Sequence, residues 1–213
     1  MPSRMPGMKD KKGLTEEEFL ADYSPKKYPQ PSLTADICVF RHVGEGDSAG
    51  RLQVLLVQRG GHPYLGCWAT PGGFVSPGET ADQAAARELA EETGVEGLAL
   101  EPIALYSTPG RDPRGWTISY AFVALDDKGV TVHAGDDAAK AQWFDVAAVE
   151  QDGRTSLTFT SGAEKLGASF FPAAAPITGT LRAADVAGEG LAFDHAQILA
   201  DAWLRLWHTG GDR

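Results

Sequence analysis

Residues 73–95 read GFVSPGETADQAAARELAEETGV, and the helix they encode constrains the chain more than any other feature. Thr80 and Gln83 have the spacing of a capping box, and Gly94 stands where a helix ends in a left-handed residue. On a helix from about Thr80 to Glu92, the acids Glu88, Glu91 and Glu92 fall at i, i+3 and i+4, so three carboxylates crowd one face. Like charges so placed weaken a helix unless a cation lies between them, and an all-oxygen donor set suits Mg2+ or Mn2+. Arg87 stands beside the acids, where its guanidinium can orient a carboxylate by paired hydrogen bonds, with Glu79 as its partner. Gly72, Gly73 and Gly78 allow a tight loop whose carbonyls approach the metal, and Ala81, Ala84 and Ala85 keep the preceding turns slim beside a ligand. Glu-x-x-Glu-Glu alone also describes an ordinary solvated helix face.

Around this helix the chain reads as one domain with an extension. Residues 1–30 hold a short helix, with Thr15 and Glu18 as a capping box and Leu14 and Phe19 at staple spacing, ending near Tyr23. Residues 31–210 form the main domain. Its β-rich runs are Leu33–Phe40 and Leu52–Gln58, a hairpin around the loop Gly44–Gly50, followed by Leu98–Thr108, Trp116–Leu125 and Ala141–Phe144. Residues 151–190 read as an irregular insertion with two short β-like pieces, around Leu157–Thr160 and Ala168–Phe171. A final helix is signalled by the Asp194/Gln197 capping box, a Phe193/Ile198 staple and an apolar face of Ile198, Leu199, Ala202, Trp203, Leu206 and Trp207.

Composition removes whole classes of function. The 213 residues carry a net charge of −10, which argues against a general nucleic-acid or anionic-membrane surface. Cys38 and Cys67 are too few for a disulfide framework or an all-cysteine zinc site. No run has the length of a membrane span or the form of a signal core, so the expectation is a cytoplasmic protein that binds neither membrane nor nucleic acid.

The segment from Gly73 fits, position for position, the pattern Gly, five residues, Glu, seven residues, Arg-Glu, an aliphatic, any residue, Glu-Glu, any residue, Gly, aliphatic. With it the chain resembles the Nudix hydrolases. The resemblance implies an α+β fold, an α/β/α sandwich with a mixed β-sheet and a loop–helix–loop catalytic motif. It also implies Mg2+- or Mn2+-dependent hydrolysis of the pyrophosphate bond in a nucleoside diphosphate linked to another moiety. Glu88, Glu91 and Glu92 then correspond to the family's metal-binding and base-supplying acids, Arg87 to its orienting arginine and Gly73 to the glycine opening the motif. In this assignment Glu88 and Glu92 hold metal most directly, and Glu91 is a further ligand or the general base. An acid of the later loop, Asp136 or Asp137, is the alternative base.

Tyr28-Pro29-Gln30-Pro31, Arg111-Asp112-Pro113-Arg114-Gly115 and Leu191-Ala192-Phe193-Asp194-His195 resemble a bacterial subgroup described as ADP-ribose pyrophosphatase-like, which also includes sensor domains of regulators of NAD metabolism. The expected substrate is therefore ADP-ribose or a related sugar nucleotide or dinucleotide. A sanitising hydrolase of modified nucleoside triphosphates and a non-catalytic nucleotide sensor are the alternatives. The chain stops at Arg213, soon after its final helix, without the basic winged helix of the regulator branch, so a DNA-binding regulator is not expected. Arg111 and Arg114, flanking Asp112, can reach phosphate or ribose, or the three charges can pair among themselves. Trp116 and Tyr120 are candidates to stack on adenine, but an aromatic on a strand is more often part of the core. His195 beside a cap residue reads as a helix-start residue. Similar enzymes are often homodimers whose partner completes the pocket, so a homodimer is expected, with the N-terminal extension as an exchange element.

Overall fold

A computed structural model describes residues 8–24, 28–44, 50–134 and 138–207. Its chain divides into two compact units at Pro31/Ser32. In the first, Thr15 caps α1 (Glu16–Asp22): its hydroxyl accepts from the Glu18 amide at 3.2 Å and its own amide donates to the Glu18 carboxylate at 2.8 Å. That helix buries no residue.

The second unit is built on a mixed sheet. Its strands are β1 (Ser32–Val43), β2 (Arg51–Arg59), β3 (Trp68–Ala69), β4 (Gly72–Phe74), β5 (Glu101–Tyr106), β6 (Thr117–Leu125), β7 (Ala138–Gln151), β8 (Arg154–Ser161), β9 (Glu164–Ala174) and β10 (Leu181–Glu189). They run in the order β10-β9-β8-β7-β2-β1-β6-β5, with β3 against β2 and β4 against β1. The β1–β6 pair is parallel and the others are antiparallel.

Period-two alternation explains the layers. Along β1, Ala35, Ile37 and Val39 belong to one apolar cluster and Cys38 and Phe40 to another; β6 divides in the same way, Phe122 and Ala124 against Ala121 and Val123. The first face is covered by Ala84, Ala85 and Leu89 of α2 (Ala81–Thr93), and the second by Ile198, Leu199, Ala202 and Trp203 of α3 (His195–Trp207). The result is the three-layer α/β/α arrangement with a mixed sheet that the resemblance implies.

Three local expectations need correction. Residues 151–190 are not irregular: they contribute β8, β9 and β10, which extend the sheet from β7 and bury Leu157, Phe159, Leu166 and Phe170. The Asp194/Gln197 capping box does not form, because Arg111 takes the Asp194 carboxylate while Gln197 Nε2 donates to Ala183 and Asp201. Nor do Phe193 and Ile198 pair as a staple; Phe193 packs with Val57, Ala69 and Ala192, and Ile198 enters the larger core.

Candidate active site

The acid side of the site is a local construction. Thr80 caps α2, exchanging hydrogen bonds with Gln83, and Gly94 ends it at φ 71°, donating to the Ala90 carbonyl. Ala84 and Ala85 are fully buried against the sheet, so they anchor the helix to its core rather than clear space for a ligand. On the turns that follow, Glu88 and Glu92 lie on the same side as these alanines and are partly buried, while Glu91 is exposed. Arg87 binds Glu79 in bidentate fashion, at 2.7 and 3.2 Å, and donates through Nη1 to Glu88 at 2.7 Å and to Glu91 at 2.9 Å. Its Nη2 also reaches the Phe74 carbonyl at 3.0 Å, so one guanidinium ties the loop to the helix. Hydrogen bonds from Arg87, with one from the Ser76 amide, hold Glu79 down at about 2. Glu92 moves the other way: burial pushes it up to about 7 against the pull of the Gly72 amide, and the charges of Glu88 and Asp36 add to the push.

The glycines opening the motif are required by close approach. A Cβ on Gly73 would overlap the Glu88 carboxylate, and one on Gly72 would overlap the Ala35 carbonyl and the Asp36 side chain. Gly72 pairs with Asp36 across β4 and β1, and its amide donates to Glu92 at 2.9 Å.

Glu88 and Glu92 line a cavity of about 720 Å³, which is lined also by residues from distant segments. Arg111 is almost wholly buried. It forms a bidentate pair with Asp194, at 2.6 and 2.8 Å, and lies 3.8 Å from Asp36, which also accepts from the Ser119 hydroxyl. Arg114 is bound by Asp112 through its amide, Nε and Nη2, and its guanidinium lies 5.0 Å from the Phe74 ring centre and 5.5 Å from that of Phe193. Arg59, at the end of β2, sits 4.9 Å from the Phe193 ring centre, and its Nε donates to the Pro63 carbonyl. Burial, with Arg114 adding to it, lowers the pKa of Arg59 from its ordinary value.

Of the residues the sequence singled out, Arg87, Glu88, Glu92, Gly73, Arg111, Asp112 and Arg114 line this one cavity. Glu91 does not; it is more than half exposed and is bound to Arg87. Both readings of the 111–114 loop are met in part, since the residues line the cavity and are already paired, Arg111 with Asp194 rather than with its neighbour. Trp116 is exposed, Tyr120 packs on Phe122, and neither reaches the cavity. Asp136 and Asp137 lie outside the described residues. Asp36, Arg59, Thr70, Phe193 and His195 were not foreseen as cavity residues. Asp36 alone carried a signal, as a charge at an inward position of an apolar strand.

The donor set fits a hard divalent cation. It is all oxygen, Glu88, Glu92 and Gly73 line the same cavity, and the charges of Glu88 and Asp36 add to the push that burial gives Glu92. As the side chains stand, no three acidic, histidine or cysteine residues among those described converge on a point. No helix among the described residues is long and apolar enough to cross a membrane.

Residues 33–161 match the family model described as NUDIX domain. The ADP-ribose pyrophosphatase of Methanocaldococcus jannaschii is 47% identical over 94 residues, 44% of this chain and 55% of that protein. Overall, the chain spans about half the length of the curated relatives it matches. Among solved structures, a MutT/nudix family protein from Enterococcus faecalis superimposes with a TM-score of 0.70 at 31% identity, covering 91% of this chain and 70% of that one. The NUDIX domain of Shewanella oneidensis NrtR, complexed with ADP ribose, gives 0.63 at 28%, covering 91% and 99%.

Proposed function

The chain belongs to the NUDIX family, and from that premise we propose that it hydrolyses the pyrophosphate bond of ADP-ribose, or of a related sugar nucleotide or dinucleotide, with Mg2+ or Mn2+. One observation carries the reading: the acids Glu88 and Glu92 and the arginines Arg59, Arg111 and Arg114 line a single cavity. A diphosphate needs that pairing of cations with metal-holding carboxylates.

Hydrolases of this family generally use divalent metals. Here Glu88 and Glu92 would hold the ion with the Gly73 backbone, and Glu91, turned from the cavity toward Arg87, would have to swing in to act as a further ligand or the general base. The bound ion would neutralise phosphate charge and lower the pKa of the attacking water. The chain's own residues do the positioning. Arg87 fixes the carboxylates of Glu88 and Glu91 against Glu79, so the acids present one arrangement instead of many. Arg59 and Arg114 offset phosphate charge, and the rings of Phe74 and Phe193 offer apolar faces to the sugar or base. On the same reading the enzyme is cytoplasmic, acts as a homodimer and takes a small nucleotide, not a nucleic acid, as its partner.

A panel of ADP-ribose, other sugar nucleotides, dinucleotides and modified nucleoside triphosphates, assayed with Mg2+ and with Mn2+, tests this. AMP and ribose 5-phosphate from ADP-ribose support it. Monophosphate and pyrophosphate from a triphosphate would replace it with a sanitising role, and tight ADP-ribose binding without turnover would make the protein a sensor.

A further inference from the structure

The segment Ala192–His195 is more than the start of a helix. Before the catalytic turn, Trp68 donates its amide to the Gly190 carbonyl at 3.1 Å and accepts from the Ala192 amide at 2.8 Å. Two residues on, the Thr70 amide donates to His195 Nδ1 at 3.0 Å, and the Thr70 hydroxyl lies 3.1 Å from the same nitrogen. Thr70 and His195 are both buried. The turn then continues to Pro71, whose carbonyl accepts from the Ile37 amide at 2.8 Å, and to Gly72, whose amide is bound by Glu92.

We propose that His195 is a positioning residue for the hydrolysis: its Nδ1 lone pair latches Thr70, and so fixes the turn at Gly72 and Gly73 against Glu88 and Glu92. The proposal rests on the hydrolase reading given above. An amide can only donate, so Nδ1 carries no proton and the ring's hydrogen is on Nε2. Nε2 lies 3.7 Å from Asp36 Oδ1. The charged groups facing the ring are Asp36 on β1, Arg111, Arg59 at the end of β2 and Asp194 on its own segment. Burial outweighs the two acids and keeps the imidazole neutral, the form that can accept from Thr70. A chain displaced by an ångström at Gly72 would move the amide that orients Glu92, and misplacement on that scale costs rate more than affinity.

Two substitutions separate the acceptor from the volume. His195→Asn keeps an acceptor near the Nδ1 position; His195→Leu fills the space and offers none. With ADP-ribose and Mg2+, His195→Leu should lose about ten-fold or more in kcat with KM within about two-fold, and His195→Asn should return to within about three-fold of wild type. Hydrogen exchange at the Thr70 amide should quicken about ten-fold or more in the leucine protein and stay slow in the asparagine protein. Wild-type kcat and Thr70 protection in His195→Leu would overturn the proposal, as would an asparagine protein as impaired as the leucine one. Should the leucine protein not fold, His195→Ala takes its place, and an unprotected Thr70 in His195→Asn still overturns the latch. If the wild type fails to hydrolyse ADP-ribose, the hydrolase reading falls instead, and the exchange measurement tests the latch without turnover.

Discussion

The two sets of residues that line the cavity are built in opposite ways. The acids come from one stretch of about twenty residues, where caps and i to i+4 spacing place them, Arg87 holds Glu88 and Glu91, and the Gly72 amide holds Glu92. The rest of the lining draws Asp36 from β1, Arg59 from β2, Arg111 and Arg114 from the loop before β6, and Phe193 and His195 from the entry to α3. The first can lose a charge without losing its shape. The second holds buried ion pairs between segments far apart in the chain, so its chemistry and the fold's stability are the same bonds.

Changing each set in turn tests that contrast. The largest effect is expected at Glu92→Gln, which keeps an acceptor for the Gly72 amide and removes the charge; metal-dependent turnover of ADP-ribose should vanish while the melting temperature holds. A fall in stability as large as the fall in rate would erase the distinction. Among the other lining residues, Arg111→Met leaves the buried Asp36 and the partly exposed Asp194 without their cation and should cost up to about 3 kcal/mol in denaturant unfolding. A loss near that of a surface pair would mean that this set is not structural.

The smallest effect is a pH dependence. His195 is held below its ordinary value of 6.5 by burial, so the unfolded chain takes up a proton first as pH falls. Its contribution is intact above about 6.5 and is lost below it, at no more than about 1.4 kcal/mol per pH unit. Glu92, held up to about 7, acts in the opposite sense over the range down to its ordinary value. The measurement is therefore the difference between wild type and His195→Asn. A difference that stays constant from pH 7.5 to pH 5, on the order of the window set by a histidine, would show that the ring does not stay neutral.

What the sequence revealed follows the same division. The acid helix, its Thr80 cap, its Gly94 stop and the Glu79–Arg87 pair were all legible, because each depends on neighbours within a few turns. Asp194 misled for the opposite reason. It has the spacing of a cap residue, but Arg111, far away in the chain, claims its carboxylate. Ala84 and Ala85 were read as clearance for a ligand, whereas the side they present to the sheet becomes evident only once β1 is laid beneath them. The strands β8 to β10 hid in small residues: in β9 the inward positions are Leu166, Ala168 and Phe170, and an alanine between two large side chains blurs the alternation that marks a strand.

The position of α3 after all ten strands has a consequence for how the protein comes into being. During synthesis on a ribosome the acid helix is complete long before Ile198, Leu199 and Trp203 emerge to close the larger core, and before His195 is available to Thr70. Contacts between segments so far apart in sequence form late and slowly. The contacts of α3 with the larger core, and of His195 with Thr70, are therefore among the last that a nascent chain can make.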